Sequence, residues 1–174
     1  MTLEERIKAL IRDVPDFPQK GVIFRDITPL LKEPGIVAEI IDEFEKFARS
    51  KGVEVVAAIE SRGFIFGMPL CLRLNVPFVP IRKEGKLPWE TVKRTYELEY
   101  GTATVEMHRD AISEGQKVLL LDDLLATGGT ALASAQLIES LGGKVVGIAF
   151  VIELTYLRGR EKLKGFDVLT LARY

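Results

Sequence analysis

The run Val118-Leu-Leu-Leu-Asp-Asp-Leu-Leu-Ala-Thr-Gly-Gly-Thr-Ala131 places two adjacent carboxylates, Asp122 and Asp123, just ahead of a glycine pair flanked by hydroxyls. Adjacent carboxylates can accept hydrogen bonds from a vicinal diol, such as that of a ribose. Gly128 and Gly129 permit positive φ and let backbone amides approach a ligand closely. Thr127 and Thr130 add hydroxyl donors. A helix that starts after them directs free N–H groups and its positive dipole end into the same turn, which suits a phosphate. Together these groups describe a cradle for a ribose 5-phosphate. An ordinary strand-to-helix turn explains one Asp as a cap and one Gly as a turn residue. It does not explain a second carboxylate at the rim of a buried strand. The run is no Walker A loop, because the chain has no Gly-Lys-Ser/Thr triplet, and Gly-x-Gly-x-x-Gly is also absent. A monophosphate is the expected anion, in preference to a triphosphate or dinucleotide.

Composition narrows the class further. A chain of 174 residues is one ordinary domain with room for a sizeable core. A net charge of −1 offers no electrostatic footprint for nucleic acid. No apolar run approaches the ~20 residues that span a bilayer, and Met-Thr-Leu-Glu-Glu-Arg lacks the apolar core of a signal peptide. The expectation is a cytoplasmic protein without nucleic-acid or membrane partners. A single histidine and a single cysteine argue against a zinc site and a Ser/His/Asp triad. Cys71, in Met-Pro-Leu-Cys-Leu-Arg-Leu, reads as a small core residue. Alternation in Thr104 to Arg109 puts Val105 and Met107 on one face, and Glu106 and His108 on a solvent-facing side.

The elements around the cradle follow from periodicity. Thr2 and Glu5 form a capping box, and Leu3, Ile7, Leu10, Ile11 and Val14 predict an amphipathic helix ending before Pro15. The proline-rich stretch to Pro34 is too apolar for a linker and predicts an ordered irregular lobe. Helices are expected from Ile36 to Phe47, from Gly63 to Leu74 and from about Thr130 to Leu141. Buried strands are expected at 55–59, 78–81, 118–121, 145–152 and near 168–171. Arg82 to Thr95 reads as a polar loop, followed by a hairpin turning near Gly101. Repeated strand–helix–strand units predict an α/β fold, a single domain with a mainly parallel sheet flanked by helices. Ligands of such sheets bind beyond the carboxyl ends of the strands, where Asp122 and Asp123 fall.

The 118–131 run resembles the 5-phosphoribosyl-1-pyrophosphate (PRPP) motif of the type I phosphoribosyltransferases. Further runs are similar to those of the adenine phosphoribosyltransferases: Pro15-Asp-Phe-Pro18, Gly21-Val-Ile-Phe-Arg-Asp-Ile-Thr-Pro-Leu-Leu31, Glu60-Ser-Arg-Gly-Phe64, Ile81-Arg-Lys-Glu-Gly-Lys-Leu-Pro88, Tyr96-Glu-Leu-Glu-Tyr-Gly101 and Gly159-Arg-Glu-Lys-Leu163. The resemblance spans essentially the whole chain. It implies one domain over 1–174, with a base-binding lobe at 1–34 and a mobile hood at 82–108. It implies that PRPP is held by Asp122, Asp123, Ala126, Thr127, Gly128, Gly129 and Thr130, with Glu60, Ser61, Arg62, Arg82, Lys83 and Lys86 at the pyrophosphate end. A non-proline cis peptide between Glu60 and Ser61 is implied as well. Ile23, Phe24, Arg25 and Leu124 would take adenine, with the ring stacked on Phe24 and facing Leu124 and Leu125. Glu99 and Tyr100 would close over the reacting centre, where with Arg62 they are the candidate catalytic residues.

The implied reaction displaces pyrophosphate from PRPP with a nitrogen of adenine and yields AMP. Mg²⁺ is the implied cofactor, held by substrate oxygens and water with no direct protein ligand. A homodimer is implied. Two alternatives stay open: a transferase for xanthine or another purine, since base choice rests on few contacts, and a non-catalytic PRPP-binding regulator. The regulator would need a basic nucleic-acid-binding face.

Overall fold

The computed structural model describes residues 1–98 and 100–174. Its elements in chain order are α1 (Leu3–Leu10), β1 (Arg12–Pro15), β2 (Ile23–Asp26), α2 (Thr28–Leu31), α3 (Pro34–Ser50), β3 (Val55–Ile59), α4 (Arg62–Leu74), β4 (Phe78–Lys83), β5 (Thr91–Glu97), β6 (Thr102–His108), β7 (Lys117–Leu125), α5 (Gly129–Ser140), β8 (Lys144–Glu153) and β9 (Val168–Arg173). Two short 3₁₀ turns, Thr155–Leu157 and Gly159–Leu163, connect β8 to β9. Seven strands form one sheet in the order β5-β6-β4-β3-β7-β8-β9. From β4 to β9 the neighbours are parallel, and β6 and β5 add an antiparallel ribbon at one edge. The expected α/β domain with a mainly parallel sheet is what forms.

The strand order reverses beside β3. The chain moves from β3 to β4 on one side, then returns to β7 on the other and continues outward to β8 and β9. Such a switch point parts the loops after its two strands and leaves a crevice between them. Here the crevice lies between Glu60–Arg62 and the 126–130 turn. The strands reach it because their centres are apolar on both faces: all of β3 is buried, and Val118 to Leu121 of β7 are fully covered. On one face α1, α2, α3 and α4 contribute Ile7, Leu30, Phe44 and Phe66 to a core; on the other, α5 packs Ala135, Leu137 and Ile138 against Leu120 and Phe150. Gly67 lets α4 lie close to the sheet, since a Cβ there would come within 2.9 Å of Ala58 Cβ and 2.8 Å of the Phe78 ring.

Several boundaries differ from the expectation. The first helix stops at Leu10, and Val14 pairs with Phe24 in a two-stranded ribbon, β1 with β2. The N-terminal lobe is therefore partly regular. Cross-strand pairing to Ile23–Asp26 is a non-local reason that an apolar repeat cannot show. The polar stretch 82–95 is likewise half strand, with β4 running to Lys83 and β5 starting at Thr91. Glu106 is not solvent-facing: it is 7% exposed, opposite Arg82 in the sheet, and accepts a bond from the Gly85 amide (3.3 Å) in the loop folded over it. His108 is half-buried, and its Nε2 is covered without a hydrogen-bond partner. Cys71 is buried as expected, and burial pushes its thiol up to about 11. The Thr2–Glu5 capping box is present. Among the described residues no helix is long and apolar enough to cross a membrane.

Candidate active site

β7 continues past the expected end at Leu121 and carries both carboxylates within the strand. Strict alternation would turn them to opposite faces. Leu121 and Leu125, four residues apart, nevertheless pack into opposite cores, so the alternation breaks between them. Asp122 Oδ1 accepts the Asp123 amide (2.8 Å) within that break, and both side chains line the crevice. Gly63 makes room for this, since a Cβ there would sit 3.2 Å from Asp122 Oδ1 and 3.1 Å from the Leu121 carbonyl oxygen. Asp123 is 3% exposed and lies 2.8 Å from Arg62 Nε. That contact is an ion pair only, because Asp123 Oδ2 has no partner with hydrogen-bond geometry. Asp122 keeps some surface open to the crevice yet lies deep among protein atoms. Burial, with the neighbouring Asp123 carboxylate second, pushes its pKa well above the ordinary aspartate range.

The expected phosphate turn is next. Gly128 adopts φ +86° and Gly129 opens α5, so the helix amides point into the turn. A cavity between Asp122 and Ala131 is lined by Ala126, Thr127, Gly128 and Thr130. Its outer wall was not foreseen: a Cβ on Gly128 would meet the Gly159 carbonyl oxygen at 2.5 Å, and one on Gly159 would meet the Ala126 carbonyl oxygen at 2.3 Å. The Gly159–Leu163 run thus braces the turn by backbone contact. Arg160 anchors it, donating to both oxygens of Glu153 (3.0 and 2.7 Å), which also accepts from Thr170 (2.8 Å). The Arg160 hydrogen bonds hold the Glu153 pKa low, against burial, which would raise it. Tyr96, for which no role was foreseen, reaches from β5 to share a hydrogen bond with Thr130 Oγ1 (2.8 Å).

Across the crevice the Glu60–Ser61 peptide is cis, as the resemblance implied. Ser61, Arg62, Arg82 and Lys83 line the crevice beside the carboxylates. Glu60 gathers the cations: it receives Arg82 Nε (3.2 Å), Lys86 Nζ (3.3 Å) and the Lys83 amide. Burial alone would raise its pKa; the Lys83 amide, Arg82 and Lys86 outweigh that and hold it low. Glu60, which also lines the crevice, therefore pairs with Arg82 and Lys86, two of the cations expected at the pyrophosphate end. Lys86 lies outside the crevice lining and is tied to it by its side chain on Glu60 and by its carbonyl oxygen, which accepts from Arg82 (3.4 Å).

The third part is an apolar pocket lined by Ile23, Phe24 and Arg25 on one side and Leu124 on the other. Leu125 is not in it; that residue is 1% exposed in the core. Tyr156 and Leu157, on the 3₁₀ turn after β8, complete the wall. Sequence reasoning missed them, because nothing local marks a turn far along the chain as a pocket lid. The Arg62 guanidinium carbon lies 4.9 Å from the Phe24 ring centre. Arg62 and Leu124 belong to both the crevice and this pocket, while Asp122, Leu124 and Thr130 belong to both crevice and phosphate turn. The three parts are one continuous site. Tyr100 is 83% exposed and lines none of the three. Glu99 lies outside the described residues.

Residues 27–169 match the family model described as the phosphoribosyl transferase domain. A curated relative, the adenine phosphoribosyltransferase of Thermoanaerobacter pseudethanolicus, is 55% identical over 174 residues, covering 100% of both chains. The crystal structure of that organism's adenine phosphoribosyltransferase superposes with a TM-score of 0.95 at 54% identity, covering 99% of this chain and 100% of the other. The Saccharomyces cerevisiae adenine phosphoribosyltransferase, crystallised with an imino-altritol bisphosphate and adenine, gives a TM-score of 0.91 at 40% identity, covering 97% and 98%. The chain belongs to the phosphoribosyltransferase family, among its adenine phosphoribosyltransferases.

Two outcomes follow from this geometry. The folded chain holds a proton on Asp122 that the unfolded chain releases above the usual aspartate value of about 3.9. The associated stability is complete below that value and is lost as pH rises through the raised one. Asp122→Asn keeps the oxygen that accepts the Asp123 amide and removes the loss. Its melting temperature should exceed the parent's at neutral pH and converge with it near about pH 4; parallel curves would contradict the assignment. Gly159→Ala forces a methyl group against the Ala126 carbonyl, an overpacking cost of about 1–3 kcal/mol. Calorimetric titration with ribose 5-phosphate should show affinity reduced roughly tenfold, and unchanged affinity would show that the brace does not shape the turn.

Proposed function

We propose that this enzyme transfers the 5-phosphoribosyl group of PRPP to adenine, releasing AMP and pyrophosphate. The observation that carries the reading is the continuity of the site: an apolar slot for a flat base, a carboxylate pair and a glycine turn at a helix start, in the order of a nucleoside monophosphate. In this reading Ala126, Thr127, Gly128, Gly129 and Thr130 hold the 5-phosphate, and Asp122 and Asp123 take the ribose hydroxyls. Ser61, Arg62, Arg82, Lys83 and Lys86 serve the pyrophosphate, with Glu60 keeping Arg82 and Lys86 in place until the anion arrives. Ile23, Phe24, Arg25 and Leu124 receive adenine. The adenine found in the yeast relative supports that base.

Displacement at the anomeric carbon develops oxocarbenium character, so the protein must orient the sugar, exclude water and disperse charge on the leaving group. The β5–β6 ribbon and the loop before it, within 82–108, act as the hood that excludes water. Mg²⁺ neutralises pyrophosphate when bound. Of the carboxylates in the same crevice, Glu60 is taken by Arg82 and Lys86 and Asp123 faces Arg62. No group of three or more metal-ligating side chains forms among the described residues, so the metal's hard oxygen ligands would come mainly from substrate and water. The same proposal includes a cytoplasmic enzyme and a homodimer. The apolar residues Ile65, Met68 and Leu72, exposed along one side of α4, support the dimer.

PRPP and Mg²⁺ offered in turn with adenine, guanine, hypoxanthine, xanthine and orotate should give product with adenine alone. Turnover favouring xanthine would move the enzyme to another purine, and no product with any base would point to a PRPP-binding regulator. Glu99 is assigned the proton on the attacking base or a bond to it. Glu99→Gln should lower kcat by roughly 10²–10⁴-fold while PRPP binding to the free enzyme stays intact; equal losses in both would reassign Glu99 to hood structure.

A further inference from the structure

Arg62 stands where two substrates would meet. Its guanidinium carbon is 4.9 Å from the centre of the Phe24 ring, inside the pocket that both residues line. Phe17 already meets that ring edge-on, with ring centres 5.2 Å apart at 79°. The pocket side of Phe24 is thus the free stacking surface, and the guanidinium occupies it. The same side chain places Nε 2.8 Å from Asp123 Oδ2, a buried oxygen without a well-directed hydrogen bond. Arg62 therefore covers the base shelf and neutralises a carboxylate needed for the sugar, while also facing the crevice with Arg82 and Lys83.

These positions compete. A guanidinium binds phosphate oxygens through two parallel N–H bonds, and pyrophosphate offers several negative charges against the single charge of Asp123. The exchange gives up no directed hydrogen bond, and the charge of the anion must outweigh the cost of leaving buried Asp123 without its counter-cation. Arg82 and Lys86 are already held together by Glu60 and need no such movement.

We propose that Arg62 is a positioning switch that couples the two ends of the site: with no anion bound it shields Phe24 and pairs with Asp123, and pyrophosphate draws it off both, opening the base shelf. The switch rests on the reading of Phe24 as the adenine shelf and of Glu60–Arg62 as the pyrophosphate loop. Anion occupancy then raises adenine affinity, and by linkage adenine raises anion affinity by the same factor.

Equilibrium dialysis of labelled adenine, with and without saturating inorganic pyrophosphate and Mg²⁺, tests this without turnover. In the parent enzyme pyrophosphate should tighten adenine binding roughly tenfold or more. Arg62→Ala should bind adenine without pyrophosphate as tightly as the parent does with it, and pyrophosphate should then make no difference. Arg62→Lys keeps the charge beside Asp123 but lacks the planar cover, and should shift the same way; it serves if the alanine variant does not fold. A coupling factor near one in the parent, or full coupling surviving in a folded Arg62 variant, overturns the switch. Absence of adenine binding to the parent under every condition would instead overturn the assignment of function, and the switch with it.

Discussion

Two neighbouring carboxylates held inside one strand end impose the main constraint on this molecule. Asp123 is buried and Asp122 nearly enclosed, so each loses hydration while repelling the other. The fold answers with few groups. Arg62 supplies one cation, the Asp123 amide supplies one donor, and Asp122 holds its proton to raised pH. Accommodating the pair requires the break in alternation between Leu121 and Leu125 and the open space beside Gly63. Such an arrangement is poor for stability and suited to a ligand that brings its own hydroxyl donors.

The surrounding architecture distributes charge around that point. The switch in strand order opens the crevice, and the loops after β3 and β7 face each other across it. Cations gather on the β3–β4 side around Glu60, and the helix start of α5 supplies positive potential on the β7 side. The apolar pocket lies beyond both, walled by the β1–β2 ribbon and the turn after β8. Tyr96 ties the antiparallel ribbon to the phosphate turn through Thr130. Glu153, Arg160 and Thr170 hold the Gly159 brace from behind.

Much of this was legible in the chain because the determining signals are local. Four apolar residues before two Asp, and Thr-Gly-Gly-Thr before an apolar helix, specify strand, rim and turn within fourteen residues. Core helices followed from spacing in the same way. What escaped depends on partners distant in sequence. Val14 leaves the helical repeat because Phe24 pairs with it, and Glu106 is covered because the loop at Gly85 folds over it. The Gly159 run was recognised by resemblance, but its contact with Ala126 and Gly128 has no local signature. The same is true of Tyr156 and Leu157. The resemblance also put Leu125 beside the base, whereas the break at the carboxylates turns it into the core.

The central claim is that the carboxylate pair reads a ribose diol beside the phosphate turn. The most direct measurement compares, by calorimetric titration, ribose 5-phosphate with 2-deoxyribose 5-phosphate on the same enzyme. Both carry the phosphate, and they differ by one hydroxyl facing Asp122 and Asp123. Loss of a hydrogen bond to a buried charged group is worth roughly 1.5–3 kcal/mol, so the deoxy sugar should bind about tenfold to a hundredfold more weakly. Equal affinity for the two sugars would contradict the account.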